Sequence, residues 1–192
     1  MSQLIDLRRR GFLRASGVTV LSASAVALLA GSETMALARP GNAANDVGIL
    51  NTALGLEHEA ISAYQIGAGS GLLQKPVLDV AVKFQSDHKA HRDALTATIK
   101  KLGGAPVAAR SDAEVAQALN AASLKTQTDV LRLAQRLEKG AANAYIGVIP
   151  SFSDKMLAQV SARLAADEAV HWIVLSQALK DPLPSNALSF GA

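Results

Sequence analysis

The chain has 192 residues, 49% hydrophobic but only 4% aromatic, with alanine its commonest residue, a composition that favours one domain of packed helices over a β-sandwich and leaves no room for two full domains. It contains no cysteine, which excludes a disulfide scaffold, a thiolate zinc site, a Cys-ligated iron–sulfur cluster and a catalytic thiol, so any metal must sit on nitrogen and oxygen. The net charge is +3, but four of the 19 basic residues and two of the 16 acidic ones fall in the first 38 positions, and the nearly neutral remainder has no Lys/Arg run that would serve a nucleic acid, which is excluded as a partner.

Residues 1–38 have the layout of an export signal: a basic patch at Arg8, Arg9 and Arg10, an apolar stretch from Ala15 to Ala30, and a small-x-small cleavage signature at Ala36-Leu37-Ala38. Within it, Arg9-Arg10-Gly11-Phe12-Leu13-Arg14 resembles the core of twin-arginine signals. That resemblance implies export of an already folded protein by the twin-arginine translocase to the periplasm or cell exterior, with the signal removed near Ala38 and a domain spanning 39–192. The competing reading is an uncleaved anchor, since the stretch from Gly11 to Gly31 is just long enough to span a bilayer.

Beyond a Pro/Gly/Asn-rich leader, helical periodicity and clear punctuation predict four long helices. The first runs from about Asp46, as N-cap, to Gly67; the second from Pro76 to Gly103-Gly104. Ser111-Asp112-Ala113-Glu114 reads as a capping box that opens a short helix to about Ala121, within a crossover. The third long helix spans about Leu124 to Val148 and breaks at Pro150, and the fourth spans Asp154 to Leu179 and stops before Pro182, leaving a short tail. One long joint between two short ones predicts two antiparallel hairpins linked by a crossover.

The two hairpins repeat each other where polar residues interrupt the pattern. Leu56-Glu57-His58-Glu59-Ala60-Ile61-Ser62-Ala63-Tyr64 in the first helix returns as Leu137-Glu138-Lys139-Gly140-Ala141-Ala142-Asn143-Ala144-Tyr145 in the third. Asp87-His88-Lys89-Ala90-His91 in the second helix returns as Asp167-Glu168-Ala169-Val170-His171 in the fourth, both displacements being about 80 residues. Residues three apart share a helix face, so His88 with His91, and Glu168 with His171, present two ligand atoms to one point. Burying several carboxylates in a bundle core costs several kcal/mol each unless something compensates. A divalent metal supplies that compensation, and three of the chain's four histidines fall at these positions.

With those motifs, the sequence from about Asp46 to Leu179 resembles the ferritin-like superfamily, nearest to its exported bacterial members. The resemblance implies an all-α, ferritin-like antiparallel four-helix bundle with a dinuclear site. Carried onto this chain, Glu57 and Glu138 would be the single-helix ligands and Glu168 with His171 a complete Glu-x-x-His. The second helix departs from the pattern, because His88 stands where the family has a metal-bridging Glu, giving His-x-x-His with His91. A neutral imidazole binds one metal through one nitrogen, and three carboxylates against two divalent ions leave an unbalanced positive charge. The expectation is therefore either an asymmetric pair bridged by Glu168 and solvent, or a single ion. A register with Asp87 as ligand is an alternative; otherwise Asp87 and Asp167 orient the imidazoles. Tyr64 and Tyr145, two turns after Glu57 and Glu138, are read either as hydrogen-bond partners of the site or as core aromatics. Trp172, Phe84, Leu95, Leu102, Leu131, Leu164 and Leu175 read as packing, His58 and Glu59 as flanking the site.

Iron is the metal expected first, as one or two ions, with manganese or zinc also compatible with the donor set. The resemblance then implies reaction with dioxygen or peroxide, in an oxidase, ferroxidase or peroxidase role among which the sequence does not choose. The rival of another class is a structural or stress-associated bundle whose site is degenerate, with His88 as the mark of lost redox function; a third is a metal carrier without turnover. Homo-oligomerisation is left open.

Overall fold

The structure is a computed structural model that describes residues 40–191, so the proposed export segment lies outside the described residues. Among these there are five α-helices, two 3₁₀ turns and no strands. Helices α1 (Pro40–Gly69) and α2 (Lys75–Lys101) form one hairpin. The short α3 (Asp112–Ala118) lies in the crossover, and α4 (Gln127–Val148) and α5 (Lys155–Ala178) form the second hairpin. Packing is most extensive within each hairpin, which is the connectivity of a ferritin-like bundle.

The helix ends follow local chemistry. Ser111 accepts from the Glu114 backbone N–H while Glu114 reaches back to Ser111, and Thr126 and Asp129 make the same reciprocal pair at the start of α4. At the end of α2, Gly103 adopts φ 79°, its N–H donates to Lys100, and the Gly104 N–H donates to Ile99 at 2.9 Å, a Schellman closure that needs the left-handed residue. Gly104 also has no room for a side chain, since a Cβ there would meet Val47 at 2.5 Å.

The start of the first helix departs from the sequence expectation. The helix continues upstream to Pro40, so Asp46 is an internal residue of α1 and not its N-cap. Its buried carboxylate instead accepts from the backbone N–H groups of Ser153 (2.9 Å) and Asp154 (3.2 Å) at the turn into α5. The capping chemistry is the one expected of an aspartate, but it serves the orphan donors of a distant helix. The crossover is tied down from α1 as well. Asn51 donates to Ala105 and accepts from Val107, the His58 ring meets the Val107 carbonyl at 3.3 Å, and Glu59 pairs with Arg110. His58 and Glu59 thus anchor the crossover outside the polar cluster.

The main core, Leu50, Leu54, Leu95, Ile99, Leu157 and Leu164 around Tyr145, fills one end of the bundle, and a smaller cluster with Tyr64, Phe84, Leu131 and Leu175 occupies the other. Leu102 is only half-buried. The tail folds back, with the Gly191 N–H donating to Asn143 and Phe190 packing edge-on against Trp172.

Candidate metal centre

Between the two apolar ends, the four long helices bring Glu57 (α1), His88 and His91 (α2), Glu138 (α4), and Glu168 and His171 (α5) into one buried cluster, none more than 4% exposed. Their ligand atoms form two overlapping groups, Glu57–His88–His91–Glu168 and His88–Glu138–Glu168–His171. Glu168 serves both: its Oε1 lies 3.4 Å from His91 Nδ1 and its Oε2 lies 3.4 Å from His171 Nδ1. One carboxylate thus turns one oxygen to each group.

Two further contacts cross between hairpins. His91 Nε2 faces Asp167 at 3.4 Å, and His171 Nε2 faces Asp87 at 3.4 Å. Asp87 is also gripped by Lys83 one turn earlier, and its carboxylate lies outside both groups, so the α2 residue inside the cluster is His88. The hydroxyl of Tyr64 donates to Glu138 and that of Tyr145 to Glu57. Burial raises both tyrosine pKa values and the adjacent carboxylate charge raises them further, so both remain protonated donors. Phe84 stacks on His171 with ring centroids 4.0 Å apart, which fixes the ring plane. That contact was not legible in the sequence, where Phe84 reads only as core.

Among the described residues, five buried side-chain atoms have no hydrogen-bond partner: His91 Nδ1, His171 Nδ1, Glu138 Oε2 and both oxygens of Glu168. All belong to the cluster. Orphaned buried polar atoms cost free energy, and these are the atoms that remain once the aspartates and tyrosines have taken the outward-facing ones. Two ligand atoms each about 2.1 Å from one ion stand roughly 3.0–3.4 Å apart, the spacing seen between each Nδ1 and its Glu168 oxygen. The residues therefore fit a metal, and the arrangement is compatible with a metal site.

His88 is held differently. Its Nδ1 lies 2.8 Å from Glu57 and its Nε2 lies 3.3 Å from Glu138. Both neighbours are acceptors, so the ring that satisfies them is the imidazolium, donating from both nitrogens. Burial opposes that charge, but attraction to Glu168 and Glu57 outweighs it and holds the His88 pKa well above the usual value. For His91 and His171, burial is likewise overcome by the carboxylates facing them, which lift the pKa values to about 10 and about 9. Glu57 falls to about 2, because His88 and His91 outweigh its burial, while burial raises Glu168 to about 6 despite His88. In the metal-free protein, imidazolium charges thus occupy the role that cations would take.

A pH dependence follows. His91 and His171 have folded pKa values above the ordinary 6.5, so their contribution to stability is complete below about pH 6.5 and is lost as pH climbs through 9 and 10. Thermal melts of metal-free protein are expected to show Tm falling by roughly 10 °C or more across that window. Metal-loaded protein, whose imidazoles carry no extra proton, should not show the fall.

A cleft of about 210 Å³ between α1 and α4 has Glu59, Ala60, His88, Arg136, Glu138 and Gly140 in its lining. Gly140 lies inside a helix, where glycine costs about 1 kcal/mol relative to alanine, and a Cβ there would meet nothing within 4 Å. Packing therefore does not require it. Gly140→Ala is expected to raise stability by about that amount, and Gly140→Leu to slow metal uptake at least about tenfold by narrowing the cleft, with final stoichiometry unchanged. Stopped-flow Co(II) absorbance would measure both rate and end point.

A four-helix bundle of two crossed-over hairpins, with a carboxylate–imidazole cluster at its centre, belongs to the class of helical bundles that keep polar ligand sets inside the core. A family model for the ferritin-like domain matches residues 45–181, and the chain is a member of that family. Among solved structures, a conserved hypothetical protein from Mycobacterium tuberculosis is similar at TM-score 0.60 and 20% identity, over 78% of this chain and 99% of that one. That likeness speaks to the fold alone. No curated protein matches the sequence significantly.

Proposed function

We propose that the protein is an exported metalloprotein that holds one or two divalent ions, iron first, at the centre of its bundle. The observation that carries this reading is the set of five orphaned ligand atoms converging from α2, α4 and α5. Glu57, His91 and one oxygen of Glu168 would hold one ion, and Glu138, His171 and the other oxygen of Glu168 the second. His88 turns one nitrogen toward each. Bound iron or manganese would supply electrons to dioxygen or peroxide.

The chain's own residues do the rest. Asp167 and Asp87 orient the imidazoles so that Nδ1 points inward, and the tyrosine hydroxyls hold Glu138 and Glu57 in place. Metal entry requires that the histidines give up their protons, so affinity rises with pH over the range in which they titrate. The cleft beside Gly140 gives small solutes a way to the site, while the apolar ends of the bundle exclude water elsewhere.

Anaerobic addition of Fe(II), followed by air, tests the reading. Stoichiometric uptake and a new near-ultraviolet absorption band on oxygenation are expected. Protein that neither binds nor oxidises iron would instead be a structural bundle with a degenerate site. Export by the twin-arginine route belongs to the same proposal, supported by Arg9-Arg10-Gly11-Phe12-Leu13-Arg14. Replacing Arg9 and Arg10 together by Lys should retain the protein inside the cell, and unimpaired export would contradict the route. Among the described residues no helix is long and apolar enough to cross a membrane.

A further inference from the structure

The two ends of the bundle repeat each other in sequence but not in packing. Around Tyr145 the interior is filled by fully buried leucines and isoleucine. Around its counterpart Tyr64 lies an apolar pocket of about 150 Å³, partly open to solvent, walled by Tyr64 of α1, Val77 of α2, Leu124 of the crossover, Val130 and Ala134 of α4, and Leu175 of α5. The filled counterpart around Tyr145 shows that this fold does not require such a pocket.

The lining determines what the space could take. All its side chains are hydrocarbon except that of Tyr64, whose hydroxyl is already committed to Glu138. A water held against this lining would find none of the two to four polar partners it needs, whereas a pocket of this volume suits apolar molecules the size of benzene or xenon. Ions, peroxide and any solute with a charged group are excluded by the same lining. The wall nearest the polar cluster is the Tyr64 ring, so an occupant lies one aromatic ring from Glu138 and His88; the centroids of the Tyr64 and His88 rings are 5.4 Å apart.

We propose that this pocket is a binding site for a small, uncharged, apolar molecule about the size of a benzene ring, held beside the candidate metal centre with Tyr64 as the shared wall. The chemistry fits a dissolved gas or a small hydrocarbon. Its role as a store for the centre's reactant rests on the metal reading, whereas occupancy itself does not, and metal-free protein is therefore the material to test.

Crystals pressurised with xenon should show a site at Tyr64, Ala134 and Leu175, and benzene should raise the Tm of the metal-free protein. Xenon without benzene would identify a gas site, and binding of both a hydrocarbon-sized one. Ala134→Leu, or the milder Ala134→Val should the first fail to fold, is expected to reduce or abolish the benzene shift while leaving metal stoichiometry unchanged. If neither probe binds the unaltered protein, or if the benzene shift survives both substitutions undiminished, the proposal is overturned, whatever the result of metal loading.

Discussion

Glu168→Gln is expected to lower metal affinity by more than about 100-fold while leaving the metal-free protein no less stable. Loss of a residue that orients a ligand already costs 10–100-fold, and Glu168 is the group whose two oxygens face both candidate ion positions. In the absence of metal, the same carboxylate is fully buried without a hydrogen bond to either oxygen. Its pKa, raised to about 6, means that keeping it ionised at neutral pH opposes folding by something on the order of 2 kcal/mol. The amide relieves that penalty and retains the shape. Paired melts with and without Co(II) would measure both effects: the metal-induced rise in Tm should vanish, and the metal-free Tm should stay or rise. A metal-free Tm that dropped sharply with metal binding intact would make Glu168 a structural residue.

His88→Glu should act in the opposite sense on the two states. In the metal-free protein it removes the ring that spans Glu57 and Glu138 and sets a fourth carboxylate among three. Leaving buried charges unpaired costs roughly 3–5 kcal/mol, enough to unfold a marginal domain. With two divalent ions present, four carboxylates balance the charge, and affinity should rise at least about tenfold. The variant is thus expected to be unstable without metal and stable with it, as read by chemical denaturation in the presence and absence of chelator. Weaker metal binding than in the unaltered protein would show that the imidazole itself is a favoured ligand.

Much of this arrangement was readable from residue spacing. The near-equal displacement between the two motif pairs places six polar groups at one depth, and residues such as Ser111 and Asp154 mark helix starts through local hydrogen bonds, whereas the third long helix begins at the Thr126 cap and not at Leu124. Partnership across the bundle was not readable. Asp87 sits beside His88 and His91 in sequence yet serves His171, Asp167 serves His91, and each tyrosine serves the glutamate of the other hairpin. Periodicity reports which face of a helix a residue occupies but not which residue stands opposite. Asp46 shows the same limit, since a local N-cap and a reach to Ser153 look identical in one dimension. The pocket beside Tyr64 was silent as well, because small apolar residues such as Ala134 have the same pattern whether they abut a neighbour or line a pocket.

Crystals of Fe(II)-loaded protein, measured at the iron absorption edge, show where the ion sits. Anomalous peaks are expected at one or both positions flanking Glu168, between Glu57 and His91 and between Glu138 and His171. Iron-saturated protein whose anomalous signal lies only on the surface, with the interior cluster empty, would contradict a metal centre inside the bundle.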